Sequence, residues 1–295
     1  MQIILLGSTT STGSAFQEMA KSRLNSYKIN AFSRRNKGLN YIDLDDQTSW
    51  TNIKFDNHTI LVSFAPIWKL SDFLEGLTVK KKKDINKIDL IIACSSSSVL
   101  SKRFAFNNFD KGLSRKLKES EEKLIDFSSE NGIECKIIQP TLIYGNHKEF
   151  KDKNINKIIN ILRLSPLMIL PKHTGLRQPI HCTEIAELTI HFINQFQSED
   201  FSCIPERILV GGEKIINYQE MIMLIQKSLP KNDRARKCFI LSIPNRIFFL
   251  LSSIIILFSP KYYEAILRTS ADLSGFKTIS KLTGKGYGFF PIKIE

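Results

Sequence analysis

Residues 7–13, Gly-Ser-Thr-Thr-Ser-Thr-Gly, lie between the apolar segment 2–6 and a stretch with helical patterning. Small residues at such a junction let backbone N–H groups approach the oxygens of a phosphate. The G-x-x-G-x-x-G spacing opens dinucleotide-binding domains: one glycine makes the bend, one admits the pyrophosphate and one allows helix-on-sheet packing. Gly7 and Gly13 hold the outer places and Thr10 the middle one. A β-branched residue resists positive φ and puts a side chain where a phosphate oxygen would come close, which predicts a cofactor that sits differently or binds weakly. Gly7, Thr10, Ser11, Thr12 and Gly13 are the candidate contacts to the pyrophosphate. The plainer reading is a strand-turn-helix unit of the kind many α/β proteins contain.

Further candidates stand where other strands end. Phe32-Ser33-Arg34-Arg35 closes the second strand. An acidic residue there accepts from the ribose 2′-hydroxyl of NAD, whereas arginine pairs with the 2′-phosphate of NADP, so Ser33, Arg34 and Arg35 favour NADP and leave NAD open. A basic loop without a ligand is the alternative. Asp43 and Asp45 either border an adenine or occupy an ordinary loop. Ser63-Phe64-Ala65-Pro66 and Cys94-Ser95-Ser96-Ser97-Ser98 put small and hydroxyl-bearing residues, Ala65, Ser96 and Ser97 among them, at the carboxyl ends of two more strands. Parallel sheets bind ligands there, and a serine can donate to a substrate oxygen or merely make a polar loop.

The elements that must position these residues are legible as alternation. Short apolar strands at 2–6, 28–33, 40–42, 59–64, 89–94 and 135–139 are separated by helical stretches, of which 114–131 carries Leu117, Leu124 and Ile125 before Asn131-Gly132. Strands alternating with helices imply a parallel sheet covered on both faces. Beyond residue 150 the pattern loosens into helices at 154–164, 183–196, 218–228 and 247–258 and a strand at 207–210. The expected fold is α/β: a Rossmann-type doubly wound sheet over residues 1–150, then a small, mostly helical lobe over 151–295 with segments returning to the sheet.

At 295 residues with 42% hydrophobic and 24% charged content, the chain can bury a large core and a smaller one, and disorder is excluded. Its 5 cysteines are odd in number, scattered and without C-x-x-C, which argues against a disulfide framework and against a zinc site. No metal is expected. Cysteine usage and the lack of a leader pattern at residue 1 point to the cytoplasm. The net charge of +13 is dispersed, with small groups at 34–35, 80–83 and 231–237 and no aromatic interleaving, so nucleic acid is not an expected partner. The excess still favours acidic ligands such as nucleotides, or an anionic membrane face. Residues 246–258 are the most apolar stretch and too short to span a bilayer. They read as a buried helix of the second lobe, or as an interfacial helix between Arg246 and Lys261 that makes peripheral membrane contact.

The segments 7–13, 95–98, Gln139-Pro140-Thr141-Leu142-Ile143-Tyr144-Gly145, Gly175-Leu176-Arg177-Gln178-Pro179-Ile180-His181, 209–213 and 267–273 together resemble the extended short-chain dehydrogenase/reductases, the NAD-dependent epimerase/dehydratase family acting on nucleotide sugars. They resemble most its atypical branch, found in polysaccharide gene clusters and related to a complex I assembly subunit. The resemblance implies a catalytic serine at Ser96, and a Tyr-x-x-x-Lys pair on the following helix. Lys118 followed by Glu122 matches the lysine half, but Ser114 stands at the tyrosine position. A tyrosine beside a lysine ammonium has a lowered pKa and shuttles the proton while hydride moves at the nicotinamide; a serine hydroxyl is too weak an acid and too short. Lys118 holds the ribose hydroxyls or is merely solvated. Pro140 is implied as a cofactor contact, Tyr144 as a neighbour of the cofactor or a substitute proton donor, and Ser97 as a substrate contact. His181 is a ligand-facing donor or a loop anchor, and Arg177 meets a diphosphate oxygen or is an unliganded loop arginine.

The resemblance implies an NAD(P)-dependent nucleotide-sugar epimerase, dehydratase or 4-ketoreductase serving surface polysaccharide synthesis, with a homodimer open. The alternative, drawn from Thr10 and Ser114, is a non-catalytic dinucleotide-binding assembly or scaffold protein.

Overall fold

The computed structural model describes residues 1–35, 38–286, 288 and 290–291; within it the side chains of Leu39, Lys80, Lys81 and Glu199 lie outside the description, so half of the basic run at 80–83 does too. In chain order the first half comprises β1 (Gln2–Leu6), α1 (Ser11–Arg23), β2 (Lys28–Phe32), β3 (Thr59–Ser63), α2 (Ile67–Ile85), β4 (Ile88–Cys94), the single turn α3 (Ser98–Ser101), α4 (Asn108–Glu130), β5 (Glu134–Pro140) and β6 (Ile143–Tyr144). The second half continues with α5 (Asn154–Leu164), β7 (Leu167–Pro171), β8 (Leu176–Arg177), β9 (Ile180–His181), α6 (Cys182–Gln195), β10 (Arg207–Gly211), β11 (Ile216–Asn217), α7 (Tyr218–Ser228), β12 (Phe239–Ile243), α8 (Asn245–Ser252), α9 (Pro260–Leu267), β13 (Lys277–Thr278) and α10 (Ile279–Thr283).

The main sheet has 7 strands in the order β13-β10-β5-β4-β3-β1-β2, and every pair is parallel. Its central strands are apolar throughout because both faces are covered. Alternate residues serve opposite cores: Ile3, Leu5, Ile60 and Val62 pack with α1 and α6, while Ile4, Leu6 and Leu61 pack with α2 and α4. β10 and β13 come from the second half of the chain, so the sheet is completed by segments far from its start in sequence. A third core, built on Ile155, Ile159, Leu162, Met221, Ile222 and Ile225, holds α5 and α7 together in the smaller lobe.

Two expected elements differ. The strand at 40–42 is reduced to one bridge between Ser33 and Tyr41 beside a short 3-10 turn, Gly38–Asn40. Helix α4 starts earlier than residue 114, because the Asn107 side chain accepts from Asp110 N and caps it there. The buried-helix reading of 246–258 is also corrected. α8 stops at Ser252 and gives way to a 3-10 turn, Ser253–Leu257, and along the two the buried residues are Phe248 and Ser252.

Candidate functional site

The carboxyl ends of the strands lie side by side: Leu6 pairs with Ser63, Ser63 with Ala93, and Cys94 with Ile138. β2 and β3 flank β1 on opposite sides, so the chain leaves β1 and β3 in opposite directions and strand order reverses between them, the place where open parallel sheets bind ligands. Gly7 stands there at φ +78°, and a Cβ on it would lie 2.7 Å from the Ala65 nitrogen. The two loops thus meet backbone to backbone. A Cβ on Gly13 would lie 2.3 Å from the Gly7 oxygen, so the second glycine lets α1 sit on the turn.

Thr10 departs from the obstructing role expected of it. It needs no positive φ: at φ −89° and ψ 159° it is the N-cap of α1. Its Oγ1 accepts from Gly13 N and donates to the Gly7 oxygen, both at 2.9 Å, which folds the side chain onto the turn. The amides of Ser11 and Thr12, first in α1, have no acceptor within the helix and form the positive end of its dipole. Gly7 N and Ser8 N both donate to the Phe32 oxygen, which brings the end of β2 beside this turn. Ser33 is buried there and its Oγ accepts from Arg35 N at 3.1 Å. Arg34 and Arg35 are exposed, and among the described residues neither pairs with a carboxylate. Asp45 instead pairs with Lys69, and Asp43 accepts from Asp45 N.

The serine run extends the ladder beyond β4 and β5, with Ser95 N donating to the Ile138 oxygen (2.8 Å) and Ser97 N to the Pro140 oxygen (2.9 Å). Ser96 and Ser97 are half-buried, and Ser96 Oγ accepts from Ser98 N at 3.1 Å. Ser95 Oγ donates to Glu121, which is 1% exposed on α4 and also accepts from Gln139 Nε2 (2.7 Å) and Arg207 Nε (3.3 Å). One buried carboxylate therefore fastens the serine loop, β5 and β10 to α4. Sequence reasoning passed over Glu121, although its place on the buried stripe of α4, between Leu117 and Leu124, was a signal.

Elsewhere on α4 the arrangement differs from a tyrosine-lysine pair. Ser114 is buried and its Oγ donates to the Val99 oxygen at 2.8 Å. Lys118 is 67% exposed and its ammonium stands 3.6 Å from Glu122. Tyr144 is 1% exposed, edge-on to Phe290 and His181 with ring centroids 4.8 and 5.0 Å away, and belongs to the core of the second lobe.

His181 and Arg177 are occupied as well. His181 is the N-cap of α6, its Nδ1 2.7 Å from Thr183 Oγ1, while its backbone N–H donates to Glu184 Oε2 at 2.7 Å. Burial pulls its imidazole down to about 4, and the neighbouring His147 adds to this, so the ring is neutral. Arg177 is buried and donates to the backbone oxygens of Leu176 (2.7 Å), Ala271 (2.5 Å) and Arg268, with its guanidinium 5.2 Å from the Tyr218 ring. These donors hold residues 268–271 against β8. His147, absent from the sequence reading, reaches α1, its Nδ1 2.9 Å from Ser14 Oγ. No spacing announces it, since its position depends on a loop with Gly145 at φ +99° and Lys148 at φ +54°.

No protein-family model matches the chain, and no curated protein matches it. Solved structures do. A UDP-glucuronic acid 4-epimerase from Bacillus cereus, in complex with NAD, is 14% identical with a TM-score of 0.55, over 77% of this chain and 83% of that one. A dTDP-4-dehydrorhamnose reductase from Clostridium acetobutylicum is 12% identical with a TM-score of 0.58, over 84% and 85%. A GDP-mannoheptose C4 reductase from Campylobacter jejuni, with NADP bound, is 11% identical with a TM-score of 0.58, over 82% and 87%. The likeness is one of fold: the chain shares the α/β, Rossmann-type architecture of these epimerase and reductase structures.

Proposed function

We propose that this chain binds NADP, with NAD the alternative, between the β1 and β3 loops, and acts on a nucleotide sugar as an epimerase, dehydratase or 4-ketoreductase. Surface polysaccharide synthesis on the cytoplasmic side is the process this reading serves. The observation that carries it is the reversal of strand order between β1 and β3, beside the first amides of α1 at Ser11 and Thr12 and beside Arg34 and Arg35, which pair with no carboxylate among the described residues. A pyrophosphate suits those amides and a 2′-phosphate those guanidinium groups. The nicotinamide, when bound, supplies the hydride acceptor or donor. Ser96 and Ser97 orient the sugar oxygens from the end of β4. Ser114, bonded to Val99, Lys118, paired with Glu122, and Tyr144, enclosed in a core, hold no proton at the substrate. The proton of the sugar hydroxyl passes to solvent in this reading.

The similar folds are enzymes of sugar-nucleotide chemistry, which does not favour the assembly-factor alternative. Calorimetric titration with NADPH and NADH tests the proposal. Arg34→Ala should weaken NADPH about 10- to 100-fold, the worth of a charge-assisted pair, and leave NADH unchanged. Binding of neither nucleotide at millimolar concentration would overturn it.

A further inference from the structure

Beyond β12 the chain leaves the core almost at once. Leu250, Ile254, Leu257 and Phe258 all stand out from the surface, the last two 81% and 83% exposed. The loop after α3 does the same with Phe104 and with Phe106, which is 91% exposed. α9 joins the two groups into one face: the Lys261 ammonium lies 3.5 Å over the Phe109 ring, Glu264 accepts from Asn107 N, and Arg268 pairs with Asp110 at 2.8 Å. Protruding aliphatic and aromatic side chains in this number, on segments that α9 ties together, mark an interaction surface.

The charges around it say what covers it. Residues 239–263 contain Arg246 and Lys261 and no aspartate or glutamate, and Arg103 and Lys111 are exposed beside Phe104 and Phe109. The carboxylates at its edge, Asp110 and Glu264, are buried and bound to Lys102, Arg268 and Asn107. Among the described residues Arg103, Lys111, Arg246 and Lys261 pair with no carboxylate, so the rim is cationic, on a chain whose net charge is +13. A second copy laid against this face would set like charges together, whereas an anionic bilayer takes apolar tips among its acyl chains and lysine and arginine among its headgroups.

We propose that this face docks on an anionic lipid membrane. No helix of the described residues is long and apolar enough to cross one. The inference rests on exposure and charge, not on the cofactor reading.

The test is flotation of the intact protein with vesicles of phosphatidylcholine, with and without phosphatidylglycerol. The protein should float with the anionic vesicles only, and less so as salt rises. Leu257→Ser/Phe258→Ser should lower partitioning by roughly tenfold or more, as should Arg246→Glu/Lys261→Glu. All four residues are exposed, so the melting temperature should hold, and Phe104→Ser/Phe106→Ser provides an independent second variant. Equal binding to neutral vesicles, binding to neither, or variants that bind like the parent would overturn the proposal. So would a dimer at micromolar concentration that the Leu257→Ser/Phe258→Ser change dissociates, since a second copy would then be the cover.

Discussion

Replacing Glu184 by glutamine should change how stability depends on pH. Glu184 occupies the third position of α6 and is 2% exposed. Its Oε2 accepts from His181 N, but Oε1 has no partner among the described residues, so half of the carboxylate is buried without a donor. Burial raises its pKa from 4.5 to about 7; the His181 N–H opposes the rise and the Glu213 carboxylate adds to it. Because the folded value lies above the unfolded one, the native state keeps a proton that the unfolded chain releases. Stability is then complete below pH 4.5 and falls as pH rises through 7. At about 1.4 kcal/mol per unit, the loss reaches about 3 kcal/mol above neutrality, of which about 2 to 3 kcal/mol falls between pH 5 and pH 8. Glu184→Gln keeps an acceptor for His181 N and removes the titration. Urea unfolding of both proteins at pH 5 and pH 8 measures the difference. The variant should gain about 2 to 3 kcal/mol on the parent across that interval. A gap that stays constant within about 0.5 kcal/mol refutes the reasoning, since Glu184 would then titrate alike in both states.

Gly7→Ala should destabilise the fold by about 2 to 4 kcal/mol, from left-handed strain together with a displaced Ala65 backbone, and should weaken NADPH binding as the turn shifts. Urea unfolding within about 0.5 kcal/mol of the parent would show that the two loops do not touch as described. Arg177→Ala removes three side-chain hydrogen bonds, although Leu176 O keeps Leu273 N and Arg268 O keeps Ala271 N, and should cost about 2 kcal/mol, with earlier proteolytic cleavage near residues 268–273. Its NADPH affinity should stay within about twofold of the parent. Lost affinity with stability intact would return Arg177 to the role of a diphosphate ligand.

The strands 2–6, 59–63 and 88–94 were legible because a strand covered on both faces must be apolar along its length, and turns rich in glycine and serine separate such strands from amphipathic helices. The same alternation gave the doubly wound class. The early start of α4 was legible in principle from Asn107 and Asp110, a cap with its partner, but these polar residues fall before the apolar stripe that marks a helix most strongly. Residues 246–258 displayed their apolarity without saying whether anything packed on it.

What the residues alone determined is which groups could do chemistry and in what order they come along the chain: glycines at the first turn, arginines after β2, serines after β4, an arginine and a histidine before α6. Only the tertiary structure decided which of those groups are already occupied. Arg177 is consumed by carbonyls of residues 268–271, His181 by its own helix and Ser114 by Val99, whereas Arg34 and Arg35 pair with no carboxylate among the described residues. A hydrogen bond is satisfied by whichever acceptor lies within about 3 Å, and for Arg177 that acceptor comes from a segment distant in sequence, where no local pattern can announce it.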